Sequence, residues 1–161
     1  MNRFQSRTRR AACVAAAFGA LAVAAAFVAP SVFAASGPVT LHFREPSTNA
    51  SAINAAGKPN RQGDYLAWDD AIKDATTGAV VGRVAGVCML VDVKSAMYDC
   101  APVTYVLAGG TIYANGLLSG TGTPTTDPIV GGTGKYQGAT GTLTVTAVSA
   151  NITDHVLKIT G

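Results

Sequence analysis

From residue 39 onward, apolar and polar residues alternate in short runs rich in Val, Thr, Ile and Tyr, and the runs are broken by Gly, Asp and Asn. No run of convincing length carries the helical period, so the pattern predicts strands over 39–45, 64–73, 79–93, 96–108, 111–118, 128–131, 141–149 and 155–160. The segment 46–63, rich in Asn, Ser, Ala and Gly, reads as one long loop, a rim or a lid. Shorter turns fall at 75–78, 94–95 and 109–110, and a Gly, Thr and Pro loop falls at 119–126. About eight antiparallel strands with hairpin links predict an all-β fold, an eight-stranded antiparallel β-barrel, with a two-sheet sandwich as the rival. Closure into a barrel removes exposed edges, and a barrel of this size is filled by side chains or holds one small ligand. Leu41 and Phe43 share one face against His42 and Arg44, and Leu143, Val145 and Ala147 share one against Thr142, Thr144 and Thr146. Alternation defines the two faces without saying which is inside.

The first residues follow another rule. Arg3, Arg7, Arg9 and Arg10 precede an uncharged, alanine-rich run over 11–28, Pro30 ends it, and Ser31-Val32-Phe33-Ala34-Ala35 offers small residues for a cut after Ala34. These features predict a signal peptide over 1–34 and one mature domain over 35–161, with an uncleaved membrane anchor as the alternative. Arg9-Arg10 lacks the flanking residues of a twin-arginine signal, which favours the general secretory route and a secreted or periplasmic product. Cys13 would leave with the signal. The excess of base leaves too, since the mature part keeps all nine acids but only eight of the twelve Lys and Arg residues. A chain so close to neutral has no electrostatic footprint for nucleic acid and none for a membrane surface once the signal is gone.

Export puts the remaining cysteines, Cys88 and Cys100, in an oxidising compartment. The turn between them would set them nearly opposite each other in a hairpin, so they are expected to form a disulfide. Two cysteines are too few for a metal site, and no metal or cofactor is expected. His42 and His155 fall in the first and last strands, neighbours in a closed barrel, but no acid or cysteine joins them at ligand spacing, so surface or satisfied core histidines are the simpler reading. Gly131-Gly132-Thr133-Gly134-Lys135-Tyr136 fails as a phosphate loop because Tyr136 follows the lysine and Ile129 stands where the first glycine should. A tight turn needing positive φ accounts for it. No G-x-S-x-G elbow supports a hydrolytic triad. Asn49-Ala50-Ser51 and Asn151-Ile152-Thr153 fit the glycosylation sequon, which matters only in a eukaryotic secretory pathway.

The acids carry more information. Glu45 ends an apolar alternating strand, and Asp69-Asp70 interrupts another beside Trp68, so one of the two aspartates must face inward. A carboxylate in a barrel lumen can act as acid or base, or favour developing positive charge. The plainer alternative is that these acids are solvated strand ends.

Three stretches together resemble the allene oxide cyclase barrel, a superfamily that also takes in the dirigent proteins. They are Gly63-Asp64 with Trp68-Asp69-Asp70, the run Gly82-Arg83-Val84-Ala85-Gly86-Val87-Cys88-Met89-Leu90, and the run from Ile129 to Gly141 that holds the glycine turn. The resemblance implies an eight-stranded barrel whose apolar lumen folds a reactive substrate before ring closure or coupling, with catalysis largely by positioning. It implies Glu45 as the acid that assists ionisation and Asp70 at the place of an oxygen-holding asparagine. Asp would there exchange a neutral donor for an anion. The arginine usual near the end of the dirigent glycine motif is Thr140 here.

The expectation is therefore an exported barrel that binds a small apolar metabolite and can isomerise or cyclise it by conformational templating. Glu45 and Asp70 are the candidate catalytic residues, and Trp68, Tyr105 and Tyr113 the candidate lining. A non-catalytic dirigent-like or lipocalin-like binder is the alternative, and a structural secreted protein with a filled barrel is a third. The resemblance is compatible with a homo-oligomer, a dimer or trimer.

Overall fold

The computed structural model describes residues 37–54, 57 and 60–161, so the expected signal peptide lies outside the described residues. The chain forms strands β1 (Val39–Pro46), β2 (Ala50–Ile53), β3 (Tyr65–Asp74), β4 (Val80–Asp92), β5 (Met97–Leu107), β6 (Gly110–Ser119), β7 (Thr125–Gly132), β8 (Gly141–Ser149) and β9 (Ile152–Ile159), with one 3-10 turn, Gly134–Tyr136. Every pairing is antiparallel, in the order β1-β9-β8-β7-β6-β5-β4-β3-β2. The ring closes where β1 also pairs β3, Phe43 opposite Asp74 and Arg44 opposite Lys73. The barrel thus has eight strand positions, and β2 continues the line of β1 along β3 past the closure. β2 pairs Ala50 to Ile53 with Trp68 to Tyr65, the part of β3 that β1 does not reach.

The expected strands are all present, although β9 begins at Ile152, three residues before the expected 155, and two further differences stand out. The segment read as one loop, 46–63, contains β2, whose four residues are all exposed and so show no burial alternation. Strand β7 starts at Thr125, not Pro128. Proline lacks an N–H and reads as a boundary, but Pro128 is tolerated because β6 and β7 pair only from Ala114 and Ile129 toward Gly132, and Pro128 sits beyond that ladder.

One end of the barrel is solid. Phe43, Ile72, Val84, Ile112, Leu157 and Ile159 point inward and fill it. The glycine run seals that end: the 3-10 turn buries Tyr136, and Lys135 N–H donates to the Gly109 carbonyl at 2.8 Å. Gly134 has φ 58° and stands so close to the β5–β6 turn that a Cβ would lie 2.2 Å from the Gly109 oxygen. Both the backbone conformation and the approach require glycine there.

Cys88 and Cys100 sit directly opposite each other on β4 and β5, with Cα atoms 4.0 Å apart, and are joined by a disulfide on the inner face. Just after Cys100 the β5–β6 register shifts, so Val103 also faces inward although a strict period of two would turn it out. In the chain-entropy account a loop this short contributes about 3 kcal/mol. The double variant Cys88→Ala/Cys100→Ala is expected to lose about 2–3 kcal/mol in urea unfolding. Reductant should lower wild-type stability similarly while leaving the variant unmoved.

Candidate active site in the barrel lumen

Three buried polar residues form a chain across the barrel. Glu45, the only glutamate in the sequence, is 4% exposed, and its Oε2 lies 2.9 Å from His155 Nε2. His155 Nδ1 lies 2.8 Å from the Tyr105 hydroxyl. Glu45 and His155 come from neighbouring strands β1 and β9, whereas Tyr105 comes from β5, on the opposite side of the ring. The Tyr105 ring meets His155 edge-on, centroids 5.7 Å apart, and packs on Phe43 below.

The proton positions follow from satisfaction. Burial, with the nearby charges of Glu45 and Asp127, raises the Tyr105 hydroxyl well above its ordinary 10.0, so it stays protonated. Its O–H donates to Nδ1, which leaves Nε2–H to donate to the Glu45 carboxylate. This tautomer pairs both ring nitrogens and the Tyr105 hydroxyl proton; a doubly protonated ring would leave that buried proton unpaired.

Above this chain lies a cavity of about 90 Å³, several times the roughly 10–15 Å³ that one water needs. Leu66, Trp68, Val103, Leu118, Leu143 and Val145 supply most of its wall, and Glu45, His155, Asp70 and Asp127 supply its charged and titratable groups. Asp70, 2% exposed, is held by one oxygen: Oδ1 accepts from Thr48 N–H at 3.0 Å, Thr48 Oγ1 at 2.7 Å and Asn49 N–H at 3.0 Å. These bonds tie down the segment between β1 and β2, whose Ser47 and Ala50 edge the cavity. Oδ2 of Asp70 is buried without a hydrogen-bond partner, as is Trp68 Nε1. Asp127 Oδ1 accepts from Leu117 N–H at 2.9 Å, where the β6–β7 backbone ladder has ended, and so splices the two strands. Gly116 makes room for it: a Cβ there would lie 2.0 Å from Asp127 Cγ.

Of the residues singled out in the sequence, Glu45, Asp70 and Trp68 meet in this cavity. Tyr105 lies beneath it and acts on it through His155. Tyr113 lies between the inward Ile112 and Ala114 and therefore faces out, away from the lumen. Asp69 also faces out and pairs with Arg83. His42 and His155 fall on opposite faces of the wall: His42 is outside, 3.6 Å from Asp154, which also holds Arg44. The site residues that sequence reasoning missed are His155, read only as a surface or satisfied histidine, and Asp127, not considered. The signal for Asp127 was available in its setting, a lone acid beside Pro128 in an inward phase with Ile129.

The barrel and its lumen define a dirigent-like protein. The family model for "Dirigent-like protein" matches residues 32–160, and the chain belongs to that family. Among solved structures, a pyocyanin demethylase is 31% identical with a TM-score of 0.66, over 76% of this chain and 100% of its own. A pterocarpan synthase dirigent protein is 18% identical with a TM-score of 0.65, over 76% of this chain and 83% of its own. An exo-specific intermolecular Diels-Alderase is 16% identical with a TM-score of 0.62, over 78% of this chain and 100% of its own. The last two share the fold with this chain. No curated protein sequence matches it.

The raised Tyr105 hydroxyl has a consequence for stability. Below the unfolded value near 10.0 its contribution is fully present; as pH rises beyond that, the unfolded chain ionises while the folded one resists, and the contribution is lost. Tyr105→Phe should cost about 1–3 kcal/mol at pH 8, because His155 Nδ1 loses its donor. Between pH 10 and 11.5 the wild type should then lose stability faster than the variant, by about 1.4 kcal/mol per pH unit. Urea unfolding across this range reads it, and parallel curves would contradict a hydroxyl raised by burial.

Proposed function

We propose that this chain is an exported enzyme that takes a small, mainly apolar ring compound into the barrel lumen and isomerises or cyclises it. Glu45 handles the proton or the developing charge, and the walls hold the reactive conformation. One observation carries the reading: the chain's only glutamate is buried at the floor of an apolar cavity, oriented through one oxygen by His155. No hydrogen bond from a described residue engages its other oxygen. A base oriented by a second group that is itself oriented by a third follows the general logic of activated catalytic groups.

In an isomerisation, Glu45 would accept a proton from one carbon of the bound substrate and return it at another, so the formula is unchanged. In a cyclisation, the carboxylate would instead face the positive charge that develops as the ring closes, and the rest of the rate would come from fixing the substrate's shape. Asp70 fits as the residue that anchors the cavity rim and sets a carboxylate beside the substrate. The Cys88–Cys100 disulfide supports a site of action outside the cytoplasm.

The test begins with purified chain incubated with pyocyanin, the compound in the name of the 31% identical relative, and with panels of phenolics and conjugated polyenes, followed by chromatography and mass spectrometry. A product of unchanged mass from a single substrate is expected. Glu45→Gln should then lower kcat about 10²–10⁴-fold while moving KM only a few-fold. Full turnover by this variant would remove Glu45 from the mechanism. Binding without any turnover would favour the carrier reading.

A further inference from the structure

We infer that the lumen selects ring compounds bearing a positive charge, an inference that rests on the lumen being the binding site. Three acids, Glu45, Asp70 and Asp127, come from three different strands to one cavity, and no Lys or Arg is among its lining residues. Each is clamped through one oxygen: Glu45 Oε2 by His155, Asp70 Oδ1 by Thr48 and Asn49, and Asp127 Oδ1 by the Leu117 N–H. Among the described residues no hydrogen bond engages the second oxygen of any of them. For Asp70 that oxygen is also cut off from water in the free protein. Burying an acceptor without a partner costs about 1–3 kcal/mol, and more when the acceptor is charged. A ligand that places a positive charge beside these carboxylates recovers part of that cost, whereas an anion meets three like charges.

Trp68 lines the same cavity from two residues before Asp70, on the same face of β3, and an indole face attracts cations. In an apolar cavity these charges act at lower effective dielectric than on the surface, so the preference should be substantial and not easily screened.

Trp68 is the only tryptophan in the chain, so its fluorescence reports lumen occupancy directly. The full chain would be titrated with three probes of nearly the same size and shape: 1-methylquinolinium, a permanent cation; 1-methylnaphthalene, neutral; and 1-naphthoate, an anion. The cation should bind at least about tenfold tighter than the neutral probe, and the anion more weakly than either. Asp70→Asn and Asp127→Asn, which keep an oxygen for the clamping donors, should each bring the cation-to-neutral ratio down several-fold. Asp99→Asn removes an exposed acid, changes net charge equally and should leave the ratio alone. A wild-type ratio near one with clear neutral binding overturns the charge preference and leaves the lumen as a binding site. Failure of all three probes to bind overturns both.

Discussion

The hydrogen-bonded chain from Tyr105 through His155 to Glu45 is the constraint on which the rest of the lumen depends. It links β5 to β9 and β1 across the ring and marks the level at which the barrel changes from a packed interior to an open one. Below it, Phe43, Ile72, Ile112 and Leu157 fill the space. Above it, the walls stand apart. Burying a carboxylate at this depth is tolerable only because a fixed donor meets it, and that donor is fixed only because Tyr105 holds the far side of the ring. Removing any member would leave its neighbour orphaned in the core, so the chain supports the fold and orients the site through the same bonds.

The other two acids repeat this economy. Asp70 holds the segment leading to β2, and Asp127 closes the β6–β7 seam where backbone pairing has stopped. Each is held in place through one oxygen. The arrangement answers the usual objection to acidic clusters in cores. The carboxylates are not simply crowded together; each has a local partner that keeps it in place before any ligand arrives, and preorganised charge of this kind need not be rearranged when a substrate binds. Gly116 shows how tightly the arrangement is packed, since even a methyl group would occupy the place of the Asp127 carboxylate.

The barrel was legible in the sequence because closure makes every strand half-buried, and half-buried strands alternate. Leu143 and Val145 against Thr142 and Thr144 is such a case, as is Leu41 and Phe43 against His42 and Arg44. The disulfide was legible because a short hairpin leaves two cysteines little choice of partner. What escaped were features without periodicity. β2 is exposed on every residue, and Pro128 concealed the true start of β7. Glu45 and Asp70 could be singled out because each breaks an apolar phase. Tyr113 was misplaced because a tyrosine's phase on a strand cannot be fixed without knowing which neighbours face in, and Ile112 and Ala114 take the inner positions. His155 was seen but not joined to Glu45. The two are 110 residues apart in the chain and sit diagonally across the β1–β9 pair, a relation that only the register reveals.

Fold alone does not decide chemistry here, since similar barrels belong to proteins named as a demethylase, a pterocarpan synthase and a Diels-Alderase. What distinguishes one such barrel from another must then lie in the few inward positions above the packed half. In this chain, those positions hold three acidic residues, a histidine and an indole among aliphatic walls. Such a set is poor at stabilising an oxyanion, because it offers few donors and no cation. It is better suited to taking up a proton and to facing positive charge on a ring, and under the proposed function that preference would favour reactions that release a proton or build up positive charge in the lumen.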